Sequence, residues 1–345
     1  MKTKTILVTP GDPAGIGPEI TWKSLFKAKY AASRRHRFVC VGALAPFLKK
    51  MKSRVLAIQE EDLEPARLAK LPRSKILILP APEQAPSPGL LLEGYQCGWA
   101  IKKSVELIQA GKAAALVTGP ISKERLRAGG FHYSGHTDFL ADLCGITQAD
   151  GGVTMMLANS RLRITLVTVH IALKDVPAAV TEQALSRAVL QTADSLRRWW
   201  GIRSPRIGVA ALNPHAGENG IFGNEEQTVI EPALKALRAE VAGSLVGPLP
   251  ADTLFANHIS GTTPFDAVVC MYHDQGLIPV KLLDFQRTVN VTLGLPIVRT
   301  SVDHGVAFDI AGKNQADPSS LQSALDEACR ITAQTAKTAN VKRTK

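Results

Sequence analysis

The chain has 345 residues, 45% hydrophobic and 21% charged, the balance of a globular protein with enough mass for two domains or lobes. Its five scattered cysteines lack CxxC spacing, which reads as reduced thiols in a cytoplasmic protein and argues against a cysteine-bound zinc; no apolar run approaches the roughly 20 residues that span a membrane. The net charge of +11 is spread out and aromatics are only 5%, so with no nucleic-acid module visible the basic excess points to a small anionic substrate.

In chain order, MKTKTILVTPGDP has too short an apolar run for a signal peptide and reads as a first strand from Ile6. GDPAGIGPEI (Gly11–Ile20) then opens a helix, PEITWKSLFKAKY. It superficially resembles a dinucleotide fingerprint, but Ile20 stands where the third glycine belongs, and its prolines remove amide donors that a pyrophosphate cradle needs. A structural tight turn and a direct ligand contact both remain open for it. Strands FVCVG and ILILP follow, then the loop EQAPSPG from Glu83, the helix CGWAIKKSVELIQAGK and the strand of AALVTGP. FHYSGHTDFL reads as a passage between lobes. Within it, SGHTDFLA sets His136 and Thr137 before a helical run with Asp138 in the first turn. Amides at a helix start, a hydroxyl and an imidazole suit a phosphate or carboxylate; a plain helix cap accounts for the same residues.

The second half alternates the strands VTMMLA, RITLVTV, RIGVAAL, DAVVCMY and VNVTL with the helices TEQALSRAVLQTADSLRRWW and EEQTVIEPALKALRAE. A last helix, SLQSALDEACRITAQTAK, precedes a basic tail, KTANVKRTK, that reads as a frayed, solvated end. Such alternation predicts a three-layer α/β architecture with a largely parallel sheet. Three apolar runs end in histidine: LVTVH at His170, VAALNPH at His215 and VVCMYH at His273. Three neutral imidazoles converging from separate strand ends would make an open divalent-metal site, and each alone is equally readable as a satisfied structural histidine. Asp274, beside His273, could orient a ring or accept a proton. Lys281, Asn290 and Arg299 follow in a stretch that reads as strand and loop. Each could bind an anion, Lys281 could serve as acid or base, and an exposed basic face is the alternative. In DHGVAFDIAGK (Asp303–Lys313) the glycines permit the close backbone approach that wrapping an adenine needs.

Taken together, GDPAGIGPEI, VTGPISK, SGHTDFLA, TVH, LNPHAGE, ADTLF, YHDQGLIPVK and TSVDHGVAFDIAG make nearly the whole chain similar to the 4-hydroxythreonine-4-phosphate dehydrogenase family of pyridoxal phosphate biosynthesis. GDPAGIGPE and DHGVAFDIAGK also resemble the wider isocitrate and isopropylmalate dehydrogenase superfamily, whose dinucleotide site lacks the usual glycine fingerprint. The resemblance implies an α/β, three-layer α/β/α fold of two lobes with a cleft between them. A cofactor-side lobe would comprise residues 1–130 plus 281–345, and residues 131–280 would form the metal, substrate and dimerisation lobe.

The same resemblance implies that His170, His215 and His273 bind one divalent metal (zinc, magnesium, manganese or cobalt) at a site completed across a homodimer interface. His136, Thr137, Lys281, Asn290 and Arg299 would bind a phosphorylated substrate. Lys281, Asp274 and Asp252 of ADTLF are its candidate catalytic groups. Asp303, His304, Gly305, Asp309 and Gly312 would lie against the adenosine half of NAD or NADP. The expected reaction oxidises 4-phosphooxy-threonine to a β-keto acid that loses carbon dioxide to give 3-amino-2-oxopropyl phosphate. The rivals are a paralogue acting on 4-phospho-D-threonate or 4-phospho-D-erythronate, a dihydrodiol dicarboxylate dehydrogenase, and a non-catalytic metal- or nucleotide-binding module. One departure is Val306, where many relatives carry threonine; a possible cofactor hydrogen bond is absent there.

Overall fold

A computed structural model describes residues 3–147 and 152–343. Its strands are β1 (Lys4–Thr9), β2 (His36–Gly42), β3 (Val55–Ala57), β4 (Ile76–Pro80), β5 (Ala115–Thr118), β6 (Thr154–Ala158), β7 (Arg163–Leu166), β8 (Arg206–Ala210), β9 (Ser244–Leu249), β10 (Ala267–Cys270), β11 (Val289–Leu293) and β12 (Arg299–Ser301). The helices that matter below are α1 (Gly17–Leu25), α2 (Ala45–Met51), α3 (Leu92–Gln109), α4 (Lys123–Ala128), α5 (His136–Leu143), α6 (Glu182–Trp199), α7 (Glu231–Leu237), α8 (Ala251–Ser260), α9 (His273–Asp284) and α10 (Ser319–Arg343). The chain divides into two compact units, residues 1–145 with 295–332 and residues 146–294 with 333–345.

In the first unit the strand order is β3-β4-β2-β1-β5-β12 and every pairing is parallel. β1 is covered almost completely, as the apolar run ILVT requires of a central parallel strand. From β1 the chain steps outward to β2 on one side, while β5 lies on the other. The order therefore reverses beside β1, where ligands of open α/β sheets gather at the carboxyl ends of the strands. GDPAGIG, VTGPISK and TSVDHG leave the carboxyl ends of β1, β5 and β12.

The second unit orders its strands β11-β6-β7-β10-β8-β9. β7, β10, β8 and β9 run parallel, but β6 is antiparallel to both β7 and β11, so this part of a largely parallel sheet is mixed. The cause is local. Only Asn159–Leu162 separate β6 from β7; the Asn159 side chain accepts hydrogen bonds from the amides of Arg161 and Leu162 at 2.9 and 3.0 Å, and so short a turn can join only antiparallel neighbours. α6 is amphipathic, with Leu185, Ala188, Val189, Thr192, Leu196 and Trp199 buried along one face, and Thr181 caps it by accepting from the Ala184 amide.

Three strands escape the sequence pattern: β3, β9 and β12. β3 and β9 are the outermost strands of their units, and β9 carries Pro248, which an edge position tolerates because its lost amide faces no partner strand. The backbone of α10 continues to Arg343 and takes in most of the tail read as a frayed end; residues 344–345 lie outside the described ones. No helix among the described residues is long and apolar enough to cross a membrane.

Candidate active site

The first unit holds a buried corner whose chemistry suits an anion. Arg299 is part of β12 and only 2% exposed, so the alternative of an exposed basic face does not hold. Its Nε and Nη2 donate to Thr118 Oγ1 at 3.2 and 2.8 Å, and the Thr118 hydroxyl in turn donates to Ser301 Oγ at 3.0 Å. Burial lowers the guanidinium pKa to about 9, which still leaves the group charged at neutral pH. Burial, and then the nearby Arg299 charge, hold the His136 imidazole well below its ordinary 6.5, so it is neutral. Its Nε2 is buried with no hydrogen-bond partner. Buried polar atoms are rarely left unpaired, so this one marks where a ligand oxygen or an ordered water belongs.

His136 and Thr137 are the first two residues of α5. The plain-cap reading fails for both, because no side chain caps this helix. Asp138 instead reaches back to the Ser134 amide and hydroxyl at 2.5 and 2.9 Å and so fixes the approach to the helix. The His136 ring, the Thr137 hydroxyl and the free amides of the first turn remain available to an anion.

Beside this corner, the GDPAGIGPEI turn is both structure and lining. Asp12 is 1% exposed, accepts from the Ala14 amide at 2.9 Å and pairs with Arg125 Nε of α4 at 2.9 Å. The Ile16 amide donates to the Val306 carbonyl at 2.9 Å, and a Cβ on Gly15 would stand 2.8 Å from that same oxygen. Glyless packing is impossible here: the Asp303–Lys313 loop lies directly on the turn. Buried Glu19 accepts from the amides of Asn314 and Ala316 at 3.1 and 2.8 Å, anchoring the loop's far end to α1. Arg125 also lies 5.7 Å from the Phe308 ring centroid.

Pro13, Gly15, Trp22, Pro46, Lys50 and Gly312 help to line a cavity of about 740 Å³ in this unit, within the size range of small-molecule and cofactor sites. Of the five loop residues expected to face a nucleotide, Gly312 lines it; His304 keeps Nε2 buried and unpartnered, while its Nδ1 lies 3.0 Å from the Gly305 carbonyl. Asp309 is exposed, the Asp303 amide donates to Ser320 Oγ at 3.3 Å, and a Cβ on Gly305 or Gly312 would meet no protein atom within 4 Å. An open cavity with an orphaned ring nitrogen at its loop fits a nucleotide.

The second unit carries the histidines. None ends a strand: β7 stops at Leu166, β8 at Ala210 and β10 at Cys270, four or five residues before His170 and His215 and three before His273, which instead begins α9. The His170 segment is tied to the end of β10, since the Thr168 amide and hydroxyl both donate to the Met271 carbonyl at 3.1 and 2.7 Å. Gln275 accepts from the Met271 amide at 2.7 Å and donates to the Ala211 carbonyl at 2.6 Å, joining the start of α9 to the end of β8.

The rings of His170 and His273 consequently approach to 5.6 Å between centroids. His273 Nδ1 is 2.6 Å from Asp274 Oδ1; a carboxylate only accepts, so Nδ1 donates and the Nε2 lone pair is left for a ligand. His215 lies on a separate left-handed turn, 6.0 Å from the Phe222 ring. Among the described residues no group of three or more His, Cys, Asp or Glu is arranged to hold a metal ion. Two imidazoles meet in one chain and the third stands apart.

Lys281 lies on α9, not in strand or loop, with Nζ 5.5 Å from the Phe285 ring centroid. Asn290 pairs across β11 with Leu157, and Asp252 is exposed in the first turn of α8. Thr118, Asp12, Arg125, Thr168 and Gln275 were not anticipated. All but Arg125 fall inside motifs read for other residues, and nothing in a sequence marks a hydroxyl or amide that bridges two strand ends.

Comparison with known proteins supplies the remaining context. The model of the family described as "Pyridoxal phosphate biosynthetic protein PdxA" matches residues 49–328. A Caulobacter vibrioides protein named 4-hydroxythreonine-4-phosphate dehydrogenase is 45% identical over 341 residues, covering 96% of this chain and 99% of its own. One of the same name from Desulfosudis oleivorans is 43% identical over 93% of this chain and 94% of its own. Among solved structures, 4-hydroxythreonine-4-phosphate dehydrogenase from Klebsiella pneumoniae superposes with a TM-score of 0.83 at 36% identity, covering 96% of this chain and 100% of that one.

Proposed function

This chain belongs to the family of the pyridoxal phosphate biosynthetic protein PdxA, and on that premise we propose that it oxidises 4-hydroxy-L-threonine 4-phosphate. The immediate product is a β-keto acid that decarboxylates to 3-amino-2-oxopropyl phosphate. The observation that carries the substrate class is the corner made by Arg299 and His136: a buried cation beside an unpartnered buried imidazole nitrogen suits a phosphate. Arg299 stays protonated at neutral pH, and the neutral His136 offers one N–H without adding a second charge to desolvate. Thr137 adds a hydroxyl and the first turn of α5 adds amides. Lys281 and Asn290 are assigned to the substrate on the family resemblance, and Lys281, Asp274 and Asp252 remain the candidates for proton transfer.

His170, His215 and His273 are the residues that would hold a divalent cation, with the set completed between two protomers. Their imidazoles accept zinc, magnesium, manganese or cobalt to different degrees. When bound, such a cation would supply Lewis acidity at substrate oxygens, and NAD or NADP would supply the hydride acceptor. Asp274 fixes the tautomer of His273, and Gln275 and Thr168 hold the two neighbouring rings in place. The loop from Asp303 to Lys313, seated on the GDPAGIG turn, forms one wall for the nucleotide, and Val306 contributes its backbone carbonyl to that seat.

The test is nucleotide reduction with 4-hydroxythreonine phosphate, 4-phospho-D-threonate and 4-phospho-D-erythronate, each with and without added metal. Highest kcat/KM on the first is expected, with NAD and NADP run in parallel. Turnover on the phosphorylated acids alone would assign the catabolic reaction instead, and no turnover by metal-loaded protein on any of them would sink the enzyme reading. His215→Ala should abolish turnover and metal binding together.

A further inference from the structure

The turn that carries His215 is strained. His215, Ala216, Glu218 and Asn219 all have positive φ, at 51°, 53°, 42° and 54°, with Gly217 between them at 78°. A left-handed conformation costs an L-residue about 1–2 kcal/mol, and such segments persist only where their surroundings over-determine them. What over-determines this one is a carboxylate. Glu226 is 1% exposed, and its Oε1 accepts from the amides of Leu212 and Asn213, both at 2.8 Å. Its Oε2 accepts from Asn213 Nδ2 at 2.9 Å, and that same Nδ2 donates to Glu225 Oε2 at 2.7 Å. These donors lie immediately ahead of the turn. On its other side, a Cβ on Gly217 would come within 2.8 Å of Glu226 Oε2, so the strained turn lies directly against the carboxylate.

Glu226 has no cationic partner among the described residues. Burying a carboxylate on neutral donors alone is expensive, and it is tolerated where several good hydrogen bonds converge on it. The backbone makes room in an unusual way: Glu226–Ile230 form a single π-helical turn ahead of α7, a local insertion often found at functional sites.

We propose that Glu226 is a positioning residue for His215: its carboxylate clamps Leu212 and Asn213, and so holds the left-handed turn in the one conformation that presents the imidazole to a divalent cation. The proposal deepens the function argued above and rests on its assignment of His215 as a ligand. Glu226 does not touch the cation. It acts as a partner of the ligand's backbone, where loss of a supporting contact weakens metal binding by about 10- to 100-fold.

The decisive variant is Glu226→Gln, which keeps shape and volume. In one amide orientation Nε2 faces Asn213 Nδ2, donor against donor; in the other it faces two backbone amides. At least one contact is lost either way. Hydrogen exchange on the full chain, without metal, reads the clamp directly: the peptide covering residues 212–220 should exchange faster in Glu226→Gln, with the rest of the chain unchanged. Calorimetric titration with cobalt(II) chloride, without substrate or nucleotide, should show affinity reduced about 10- to 100-fold in a variant that stays folded at the titration temperature. Unchanged exchange over 212–220 overturns the clamp. Faster exchange with unchanged cobalt affinity, while His215→Ala loses the metal, overturns the positioning role. If His215→Ala binds cobalt as the parent does, the ligand assignment itself fails, and the exchange readout still decides whether Glu226 holds the turn. Should Glu226→Gln unfold, Asn213→Ala, which removes the two side-chain contacts and keeps the backbone ones, is held to the same two readouts with the same expected directions.

Discussion

A single nitrogen carries much of the argument for an anionic substrate. His136 Nε2 is buried and unpartnered, and burial, helped by the neighbouring guanidinium of Arg299, keeps the ring neutral. A hydrogen bond to a charged partner is worth about 1.5–3 kcal/mol, so His136→Ala should raise KM for the phosphorylated substrate by roughly 10- to 100-fold and leave the cofactor KM within about twofold. Steady-state kinetics with each component varied in turn checks this; equal increases in both would place His136 elsewhere. The same ring makes stability depend on pH. Its folded-state pKa is depressed, so it contributes fully above the ordinary value of 6.5, and the contribution drains away as the pH falls from 6.5 toward the folded pKa while the unfolded chain takes up the proton. His36, also depressed by burial and then by Arg35, acts in the same direction. The test is therefore a difference: between pH 8 and 5.5 the urea midpoint of His136→Asn should fall less than that of the parent. A parallel fall would show that His136 does not titrate abnormally.

At the scale of elements, the sequence located the histidines but misjudged what presents them. An apolar run ending in histidine looks like a strand to its last residue, yet each strand stops where its ladder partners stop, and the remaining residues turn out toward the site. α9 was hidden for a different reason. Gly276 and Pro279 in HDQGLIPVK are helix breakers by propensity, so Lys281 read as loop. Tertiary packing overrides them: Leu277 and Val280 are buried in the same core cluster as Ile164 and Leu166, and Gly276 lets the helix approach β7 closely. A Cβ there would stand 2.8 Å from Ile164 Cδ1 and 3.1 Å from both Cys270 Sγ and Leu166 Cδ2. Alanine gains roughly 1 kcal/mol of helix propensity over glycine, while overpacking a filled core costs about 1–3 kcal/mol. Overpacking wins: Gly276→Ala should be destabilised by about 1–2 kcal/mol in urea unfolding, and a stabilised variant would mean that α9 has slack against the sheet. The two antiparallel pairings of β6 have the same lesson in reverse, since one asparagine-led turn decided a strand direction that apolar patterning could not.

For the whole molecule, the first unit was the more legible, because its all-parallel sheet obeys the simple rule of buried apolar runs followed by ligand loops. The second unit encodes something its own core does not explain. Each histidine is followed by exposed apolar side chains: Ile171 and Leu173 at 44% and 71%, Ile221 and Phe222 at 72% and 48%, and Ile278, Leu282 and Phe285 along α9 and at its end at 58%, 82% and 64%. Large apolar residues gathered on the very segments that carry the proposed ligands are the surface that the proposed second protomer would cover. A second copy of this chain is the occupant that would also account for the histidines, since among the described residues one chain brings only His170 and His273 together, and a twofold interface would set a patch of one protomer against a different patch of its partner twice over. Burying a leucine side chain is worth about 1.5–3 kcal/mol, and a twofold interface counts that loss twice, with the desolvation of two carboxylates added. Leu282→Glu should therefore shift the protein from dimer to monomer in sedimentation velocity at micromolar concentration. Cobalt affinity should fall in the same variant although no histidine has changed. A Leu282→Glu dimer would move the interface off α9, and a monomer with undiminished cobalt affinity would confine the metal site to one chain.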